Sequence, residues 1–298
     1  MPLQPSLPSA RQLPCRSAER PGGVIMLGSA QWGCPDTDPP VFQGFPQHST
    51  RIEAAGELPL LPDTTNSWVG GVLAPNGRVY MVPNSHTSVL IYAPRTGRVD
   101  LSSLSGLGEQ PYKWSGAVVA ANGRIYCPPD QAGTVLVIDP ERNTTHQLPV
   151  AAAGRWAGAV LGVDGLIYGI PQQGDPQSTP AFEASVLVID PHTETVSTIR
   201  AGLVAADDGW YGGVLAANGR IYGIPFASND VLVIDPGTDQ VSTFPAGTTG
   251  SLLKWWGGVL TPGGEVIGVP FRQDGILAIR TGLPQLPGWM LAPQFNKF

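Results

Sequence analysis

Cysteine is scarce in the sequence and irregularly placed. The three cysteines, Cys15, Cys34 and Cys127, are an odd number among 298 residues, and none belongs to a C-x-x-C pair. A disulfide framework needs paired cysteines, and a structural zinc site needs four closely spaced thiolate or imidazole ligands. The sequence therefore predicts no disulfide scaffold, no metal and no bound cofactor.

Long apolar runs and an excess of positive charge are lacking as well. A helix that spans a membrane needs about 18 or more consecutive apolar residues, and the sequence has no such stretch. The 17 Lys and Arg residues are outnumbered by 23 Asp and Glu, which gives a net charge of −6. A general nucleic-acid-binding protein needs a basic field that displaces counterions. The composition excludes that class and predicts a soluble protein without a transmembrane segment.

Glycine and proline, in contrast, are abundant and recur periodically. The chain has 38 Gly and 31 Pro, and irregular placement of so many would indicate disorder. Instead, five segments begin with Trp-x-Gly-Gly-Val or Trp-x-Gly-Ala-Val, at spacings of 46, 42, 54 and 45 residues. Such a period is typical of repeat architectures. The opening residues are Trp68, Trp114, Trp156, Trp210 and Trp255.

Each repeat has the pattern of a small antiparallel sheet, and the fourth copy shows it most clearly. Its opening run leads to Asn218-Gly219, which predicts a β-hairpin with a type I′ turn, where both central residues have positive φ. Three short runs rich in β-branched and aromatic residues follow, at 220–225, 231–236 and 240–244. The sequence therefore predicts four strands per repeat, named A to D in chain order.

A sixth copy is predicted near the N-terminus. Residues 22–24 match residues 70–72, and the same alignment without a gap places Pro35 on Pro83. A single four-stranded sheet cannot bury both of its faces, whereas sheets stacked around an axis can. We therefore predict an all-β fold, a single β-propeller with six blades of four antiparallel strands. Five blades, with residues 1–55 as a cap or closing strand, is the alternative.

The first 20 residues differ from the repeats in composition. They are rich in Ser, Pro and Arg and contain a single acid, Glu19. This balance resembles an organelle transit segment, and a disordered tail is the other interpretation. We expect residues 1–20 to be a disordered or targeting tail and residues 21–298 to be the propeller. The expected location is cytoplasmic or intracellular, with organelle targeting left open.

The unit W-x-G-G-V-L-A-x-N-G-R-I-Y-G-I-P…V-L-V-I-D-P-x-T resembles the propeller repeats of the NHL, YVTN and SMP-30 (gluconolactonase-like) superfamily, from about residue 21 to 282. This resemblance implies the blade architecture, which hosts many unrelated activities. In SMP-30-like lactonases, a carboxylate and amides of the inner strands hold a divalent cation at the axis. The matching segments here contain no Asp, Glu, Asn or His, which counts against a lactonase-like metal site. They are residues 70–74, 116–120, 158–162, 212–216 and 257–261.

Other residues that often carry chemistry have structural explanations. Asp139, Asp190 and Asp235 share one repeat position beside a proline, which is typical of a turn. Residues 207–208 with 229–230 form an acidic loop cluster, for which solvation and a weak calcium site are the two interpretations. The histidines fall at different repeat positions and are not expected to converge, so we predict no catalytic residue and favour a protein that is not an enzyme. They are His48, His86, His146 and His192.

The loops at one end of the propeller are the predicted binding surface. The D–A loops and the B–C loops lie at the same end, and the B–C loops vary between copies while the framework repeats. Aromatic side chains there would contact a partner or ligand, or would act as wedges between blades. The longest B–C loop, residues 172–185, is a candidate lid over the channel. The predicted binding residues are Trp68, Trp114, Trp156, Trp210, Tyr211, Trp255 and Trp256.

Three functions are compatible with this pattern. A non-enzymatic scaffold that binds an unidentified protein through the loop face is the first, because it assumes no chemistry. A propeller that binds a glycan or another small ligand is the second. It makes Trp256 and Tyr211 the most important residues. Both follow the opening tryptophan, at a position that is not aromatic in the other three copies. A lactonase-like hydrolase is the third.

Overall fold

The computed structural model describes residues 66–172, 184–203, 209–248 and 253–282, which all lie in one compact unit that extends over residues 51–298. Nineteen strands and no helix are found in these ranges, so the described part of the chain contains no membrane-crossing helix. The strands are β1 (Trp68–Leu73), β2 (Val79–Pro83), β3 (Leu90–Ala93), β4 (Arg98–Asp100), β5 (Val118–Val119), β6 (Ile125–Cys127), β7 (Thr134–Asp139), β8 (Thr144–Pro149), β9 (Trp156–Leu161), β10 (Ile167–Pro171), β11 (Ala184–Asp190), β12 (Thr195–Leu203), β13 (Trp210–Leu215), β14 (Ile221–Pro225), β15 (Asp230–Asp235), β16 (Gln240–Pro245), β17 (Trp255–Leu260), β18 (Glu265–Pro270) and β19 (Leu277–Arg280).

The strands form five antiparallel sheets in chain order. Strands β1–β4, β5–β8, β9–β12 and β13–β16 make blades 1 to 4, and β17–β19 are the described strands of blade 5. Residues at or just before the start of each blade's first strand line one axial cavity. The described residues therefore form five blades of a β-propeller, which confirms the all-β propeller and matches the five-blade alternative. The sixth copy predicted from residue 22 onward and the tail, residues 1–20, lie outside the described residues.

The A–B turns differ in type from the prediction. In blade 1, the Gly77 N–H donates to the Ala74 carbonyl (2.9 Å) and the Ala74 N–H donates to the Arg78 carbonyl (2.9 Å). Gly77 has a φ of 76°, whereas Asn76 is not among the residues with positive φ. The prediction of a type I′ turn was therefore wrong, because a four-residue turn with glycine in its last position closes the hairpin instead.

The asparagine of the turn is instead used to join neighbouring blades. The Asn76 side-chain amide donates to the Tyr80 hydroxyl (3.0 Å) and to the Pro140 carbonyl of blade 2 (3.0 Å). Asn122 donates in the same way to the Pro191 carbonyl of blade 3 (2.8 Å). Because these bonds link residues far apart in the chain, the turn contributes to blade stacking as well as to its own hairpin.

The core lies between adjacent blades. Val72 and Tyr80 of blade 1 pack in one buried cluster with Ile125 and Leu136 of blade 2, and equivalent clusters join the later blades. Buried apolar surface of this kind stabilises a fold by about 25 cal/mol per Å². The blades are therefore held to one another by the same apolar positions that make each strand amphipathic.

Blade 5 departs from this pattern on one face. Val214 and Val231 of blade 4 are 5% and 0% exposed because blade 5 packs over them. The residues at the same repeat positions in blade 5, Val259 and Ile276, are 46% and 69% exposed. No further blade among the described residues covers this face.

Candidate ligand site at the axial end of the propeller

Glycine brings the inner strands together at the axis. The Trp-x-Gly opening of each blade contains a bulge, seen as a shift in strand pairing between Trp210 and Gly213, and its glycine has positive φ. A Cβ on Gly116 would lie 2.8 Å from the Cα of Gly158, and one on Gly158 would lie 3.3 Å from the Cα of Gly212. Only glycine fits there, and the residue just before each glycine is left at the mouth of the channel.

A cavity of about 250 Å³ opens at this mouth. It is lined by residues from all five blades, so its walls are set by ring assembly and by no single repeat. The side chains that differ between copies are those that follow the opening tryptophan. The lining residues are Trp68, Val69, Gly70, Ser115, Gly116, Gly158, Tyr211 and Trp256.

One wall of the mouth is aromatic. The rings of Tyr211 and Trp256 lie with centroids 3.7 Å apart and planes tilted by 31°. Phe226 approaches Trp256 edge-on at 5.3 Å, and Phe271 lies 5.2 Å from Trp256 on its outer side. Tyr211 is buried, Trp256 and Phe226 are half-buried, and Phe271 is exposed. These four residues, all from blades 4 and 5, are named the aromatic row below.

A pair of hydroxyl groups spans the axis beside this wall. The Ser115 and Tyr211 hydroxyl oxygens are 3.3 Å apart and share a hydrogen bond, although the residues belong to blades 2 and 4. Burial raises the pKa of the Tyr211 phenol, the hydrogen bond with Ser115 lowers it, and the nearby Asp130 carboxylate raises it. Tyr211 therefore keeps its proton at neutral pH and offers a hydroxyl to whatever occupies the cavity.

Blades 1 and 2 carry buried polar side chains directly after the strand-B proline. Asp130 is buried and accepts a hydrogen bond from Arg155 Nε at 2.6 Å. Burial raises the pKa of Asp130, whereas the hydrogen bond and charge of Arg155 lower it. Asn84 is also buried, and its amide donates to the Trp114 carbonyl at 2.8 Å. These groups are committed to contacts within and between blades 1 to 3.

One backbone hydrogen bond makes these positions equivalent. In each blade the N–H of the residue after the strand-B proline donates to the carbonyl of the residue before the opening tryptophan, at 2.8 to 3.0 Å. The side chain at this position is polar in blades 1 to 3 and aromatic in blades 4 and 5. The five residues are Asn84, Asp130, Gln172, Phe226 and Phe271.

The opening tryptophans themselves lie within the blades. Trp114, Trp156, Trp210 and Trp255 are at most 2% exposed, whereas Trp68 is half-buried. Each indole N–H donates to a carbonyl at or just before the start of strand C of its own blade, and this constant bond explains the constant residue. The acceptors are the carbonyls of Ser88, Thr134, Ser185, Asp230 and Gly275.

Of the seven predicted binding residues, the structure thus brings Trp68, Tyr211 and Trp256 together at the cavity. Phe226 and Phe271 were not among the predicted residues, although they follow the strand-B proline at a position that varies between the copies. That variation is the signal in the sequence that would have found them. The candidate lid, residues 172–185, is described only at its ends, and residues 207–208 lie outside the described residues.

A second cleft, of about 620 Å³, lies among the A–B and C–D turns at the other end of blades 1 to 3. Its charges are paired: Arg142 donates to Asp139 at 2.8 Å, and Arg124 contacts both Asp139 and Glu194. Hydrogen bonds from Arg142 lower the pKa of Asp139 to about 2. This cleft is an ion-pair network between turns.

The chemistry-bearing side chains of the described residues are dispersed. His86 packs on Trp68 with centroids 4.5 Å apart, whereas His192 lines the cleft at the other end and His146 bonds to Glu194 at 3.1 Å. No group of three or more His, Cys, Asp or Glu side chains that could hold a metal ion occurs in the described ranges.

Known proteins resemble this chain in structure rather than in sequence. No protein-family model and no curated protein matches it. A catalytically inactive virginiamycin B lyase from Staphylococcus aureus with quinupristin has a TM-score of 0.57 at 11% identity, over 75% of this chain and 73% of that one. A streptogramin B lyase has a TM-score of 0.58 at 14% identity, over 72% and 66%. A candidate gluconolactonase has a TM-score of 0.51 at 12% identity, over 74% and 77%. At such identities the likeness shows the β-propeller fold alone.

Proposed function

We propose that this propeller binds a small organic molecule that contains a ring, in the axial cavity between Ser115 and the aromatic row. The stacked pair of Tyr211 and Trp256 on the cavity wall carries the proposal. Partly exposed aromatic faces supply a large and rigid apolar contact area, and the Tyr211 and Ser115 hydroxyls add hydrogen-bonding groups. This combination of apolar walls with few polar groups is typical of small-molecule sites.

The size and asymmetry of the cavity support the same function. Its volume of about 250 Å³ lies just below the range of about 300–1,000 Å³ that is typical of ligand pockets, which favours a small ligand. The positions that vary between the copies are aromatic only in blades 4 and 5. An aromatic wall on one side is useful for holding a ligand in one orientation. Of the three hypotheses from the sequence, we therefore propose the small-ligand one. The protein scaffold and the lactonase-like hydrolase remain hypotheses.

The proposal is tested by equilibrium binding to the purified full chain. A panel of neutral monosaccharides, phenols, phenyl-substituted acids and lactones is titrated while tryptophan fluorescence and heat are recorded. At least one member is expected to bind, and Trp256→Ala and Tyr211→Ala are each expected to weaken it about tenfold or more, equivalent to about 1.4 kcal/mol.

Phe244→Ala is the matched control. Phe244 is 37% exposed on the outermost strand of blade 4, so its removal deletes an exposed aromatic ring far from the axis. Its binding curves should equal those of the wild type. If no panel member binds, or if binding is the same in all four proteins, the proposed function is rejected.

A further inference from the structure

We infer that the ligand of the axial site is an acid whose ring contacts the aromatic row and whose anionic group binds Arg272. This inference rests on the proposed function and names the chemical class of the ligand. Three features carry it: the direction of the row, the free charge at its outer end, and the place of that charge among the five repeats.

The aromatic row leads from the cavity to the surface. Tyr211 lines the cavity and is 7% exposed, Trp256 lies against it, and Phe271 beyond Trp256 is 51% exposed. The ring centroids follow one another at 3.7 and 5.2 Å. A ligand that lies along this row has one end in the cavity and the other near Phe271.

Arg272 stands at the outer end of the row. Its guanidinium carbon lies 5.9 Å from the centre of the Phe271 ring, and its backbone N–H donates to the Leu253 carbonyl at 3.1 Å. The backbone bond fixes the base of the side chain, and the ring contact keeps the guanidinium beside the row. A guanidinium on an aromatic face still presents N–H groups at its edge.

This charge has no carboxylate partner among the described residues, although other arginines of the propeller do. Arg155 pairs with a carboxylate at 2.6 Å, Arg220 at 3.1 Å and Arg280 at 3.1 Å. Asp274 lies two residues beyond Arg272, yet no ion pair joins them. The Arg272 guanidinium is thus available for a ligand anion, which it can bind through two parallel hydrogen bonds.

The repeat comparison shows that this cation is specific to blade 5. The residues at its position in blades 1, 2 and 4 are Ser85, Gln131 and Ala227. The cation therefore occurs in the same blade as Trp256 and Phe271, in a chain whose net charge is −6. Coincidence of the unpaired cation with the aromatic residues favours a ligand that carries both a ring and a negative charge.

The test compares acids with their amides, which match in shape and differ in charge. Phenylacetate, 4-phenylbutyrate and 6-phenylhexanoate are titrated against the full chain, each beside its amide, at low and at physiological salt. We expect the wild type to bind the best acid about fivefold or more tightly than its amide. We also expect that preference to shrink as salt screens the exposed charge.

Two arginine variants isolate the charge. In Arg272→Gln the preference for the acid should disappear while the amide binds as before. In Arg280→Gln, which removes another exposed arginine of blade 5, the preference should persist. Trp256→Ala should weaken the acid and the amide equally, because it removes the ring contact that both share. Unchanged unfolding curves for both arginine variants show that the fold is intact.

The outcomes separate the two proposals. If acid and amide bind equally to the wild type, or if Arg272→Gln keeps the preference, the inferred ligand class is rejected while the axial site stands. If neither series binds and another panel member does so through Trp256, the inference is again rejected and the site stands. Failure of every compound rejects both.

Discussion

Blades 1 to 3 and blades 4 and 5 share one backbone plan and differ in the side chain that follows the strand-B proline. Blades 1 and 2 have Asn84 and Asp130 there, each hydrogen-bonded to a neighbouring group, and blade 3 has Gln172. The last two place Phe226 and Phe271 at the equivalent position, in ring contact with Trp256. The backbone tolerates either set because its own hydrogen bonds are complete without the side chain. Such positions are free to acquire a binding role.

Invariant positions show the opposite behaviour. The indole N–H of Trp210 donates to the Asp230 carbonyl at 2.7 Å, and the same bond recurs in every described blade. The side chain at that position is needed for each blade to form. The comparison thus separates residues that build the repeat from residues that distinguish one repeat from another.

The largest expected effect comes from testing these two kinds of tryptophan. Trp210→Ala should lower the free energy of unfolding by about 3–5 kcal/mol, because a buried indole and its hydrogen bond are lost. Trp256→Ala should cost less than half as much, because Trp256 is half-buried. Urea unfolding followed by circular dichroism measures both. Equal losses would contradict the division between folding and site residues.

The second prediction concerns the ion pair between Arg155 and Asp130. Arg155→Ala should destabilise the protein by about 3 kcal/mol at neutral pH, because the buried Asp130 carboxylate loses its partner. Arg280→Ala, at an exposed pair, should cost below about 1 kcal/mol. Denaturant unfolding at a series of pH values measures the two losses.

The pH dependence of the same variant follows from the pKa of Asp130. Burial raises that pKa above the unfolded value, so the charged form is disfavoured in the fold. Stability from this group is highest at acid pH and falls as pH rises through its folded pKa. The penalty of Arg155→Ala should therefore shrink as pH falls and Asp130 takes up a proton. A penalty that grows in acid would contradict this origin.

The third prediction concerns the hydrogen bond between the Ser115 and Tyr211 hydroxyl groups. Ser115→Ala and Tyr211→Phe should each cost about 1 kcal/mol, because each removes one buried hydroxyl partner. The double variant should cost less than the sum of the two, since the hydrogen bond is lost only once. Additive losses in a double-mutant cycle would show that the two hydroxyls do not interact.

The smallest effect on stability comes from giving blade 5 the residue of blade 1. Phe271→Asn should change the free energy of unfolding by no more than about 0.5 kcal/mol, because Phe271 is 51% exposed. The same change should weaken a ring ligand several-fold, since one ring of the row is lost. Calorimetric binding and unfolding curves of this one variant test both statements.

The repeat made much of the fold predictable. Strands β1, β9, β13 and β17 begin at the tryptophans that define the period. Blade 2 is the exception, since Trp114 forms an isolated bridge with Pro129 and β5 begins only at Val118. The type I′ turn was predicted wrongly, because the Asn-Gly signal reports a hairpin and does not distinguish where in the turn the glycine lies. The preference for six blades rested on residues outside the described ranges.

The candidate site was less predictable. Sequence reasoning identified Tyr211 and Trp256, since they depart from the pattern of their copies, but treated all five opening tryptophans alike. Phe226 and Phe271 were overlooked because each follows a strand-ending proline and resembles an ordinary loop residue. Their place in the candidate site depends on Trp256, a residue of strand β17 whose ring contacts both phenylalanine rings.

The amino-acid sequence by itself determined the strand pattern, the places of the turns and the period of this protein, because those depend on contacts within one repeat of about 46 residues. Only the tertiary structure decided that Ser115 meets Tyr211, 96 residues away, and that Tyr211 and Trp256 form one wall of the cavity that Ser115 also lines. Hydrogen bonds and ring contacts act over a few ångströms. A linear period does not reveal which copies face each other across the axis, because that depends on how the blades are arranged around it.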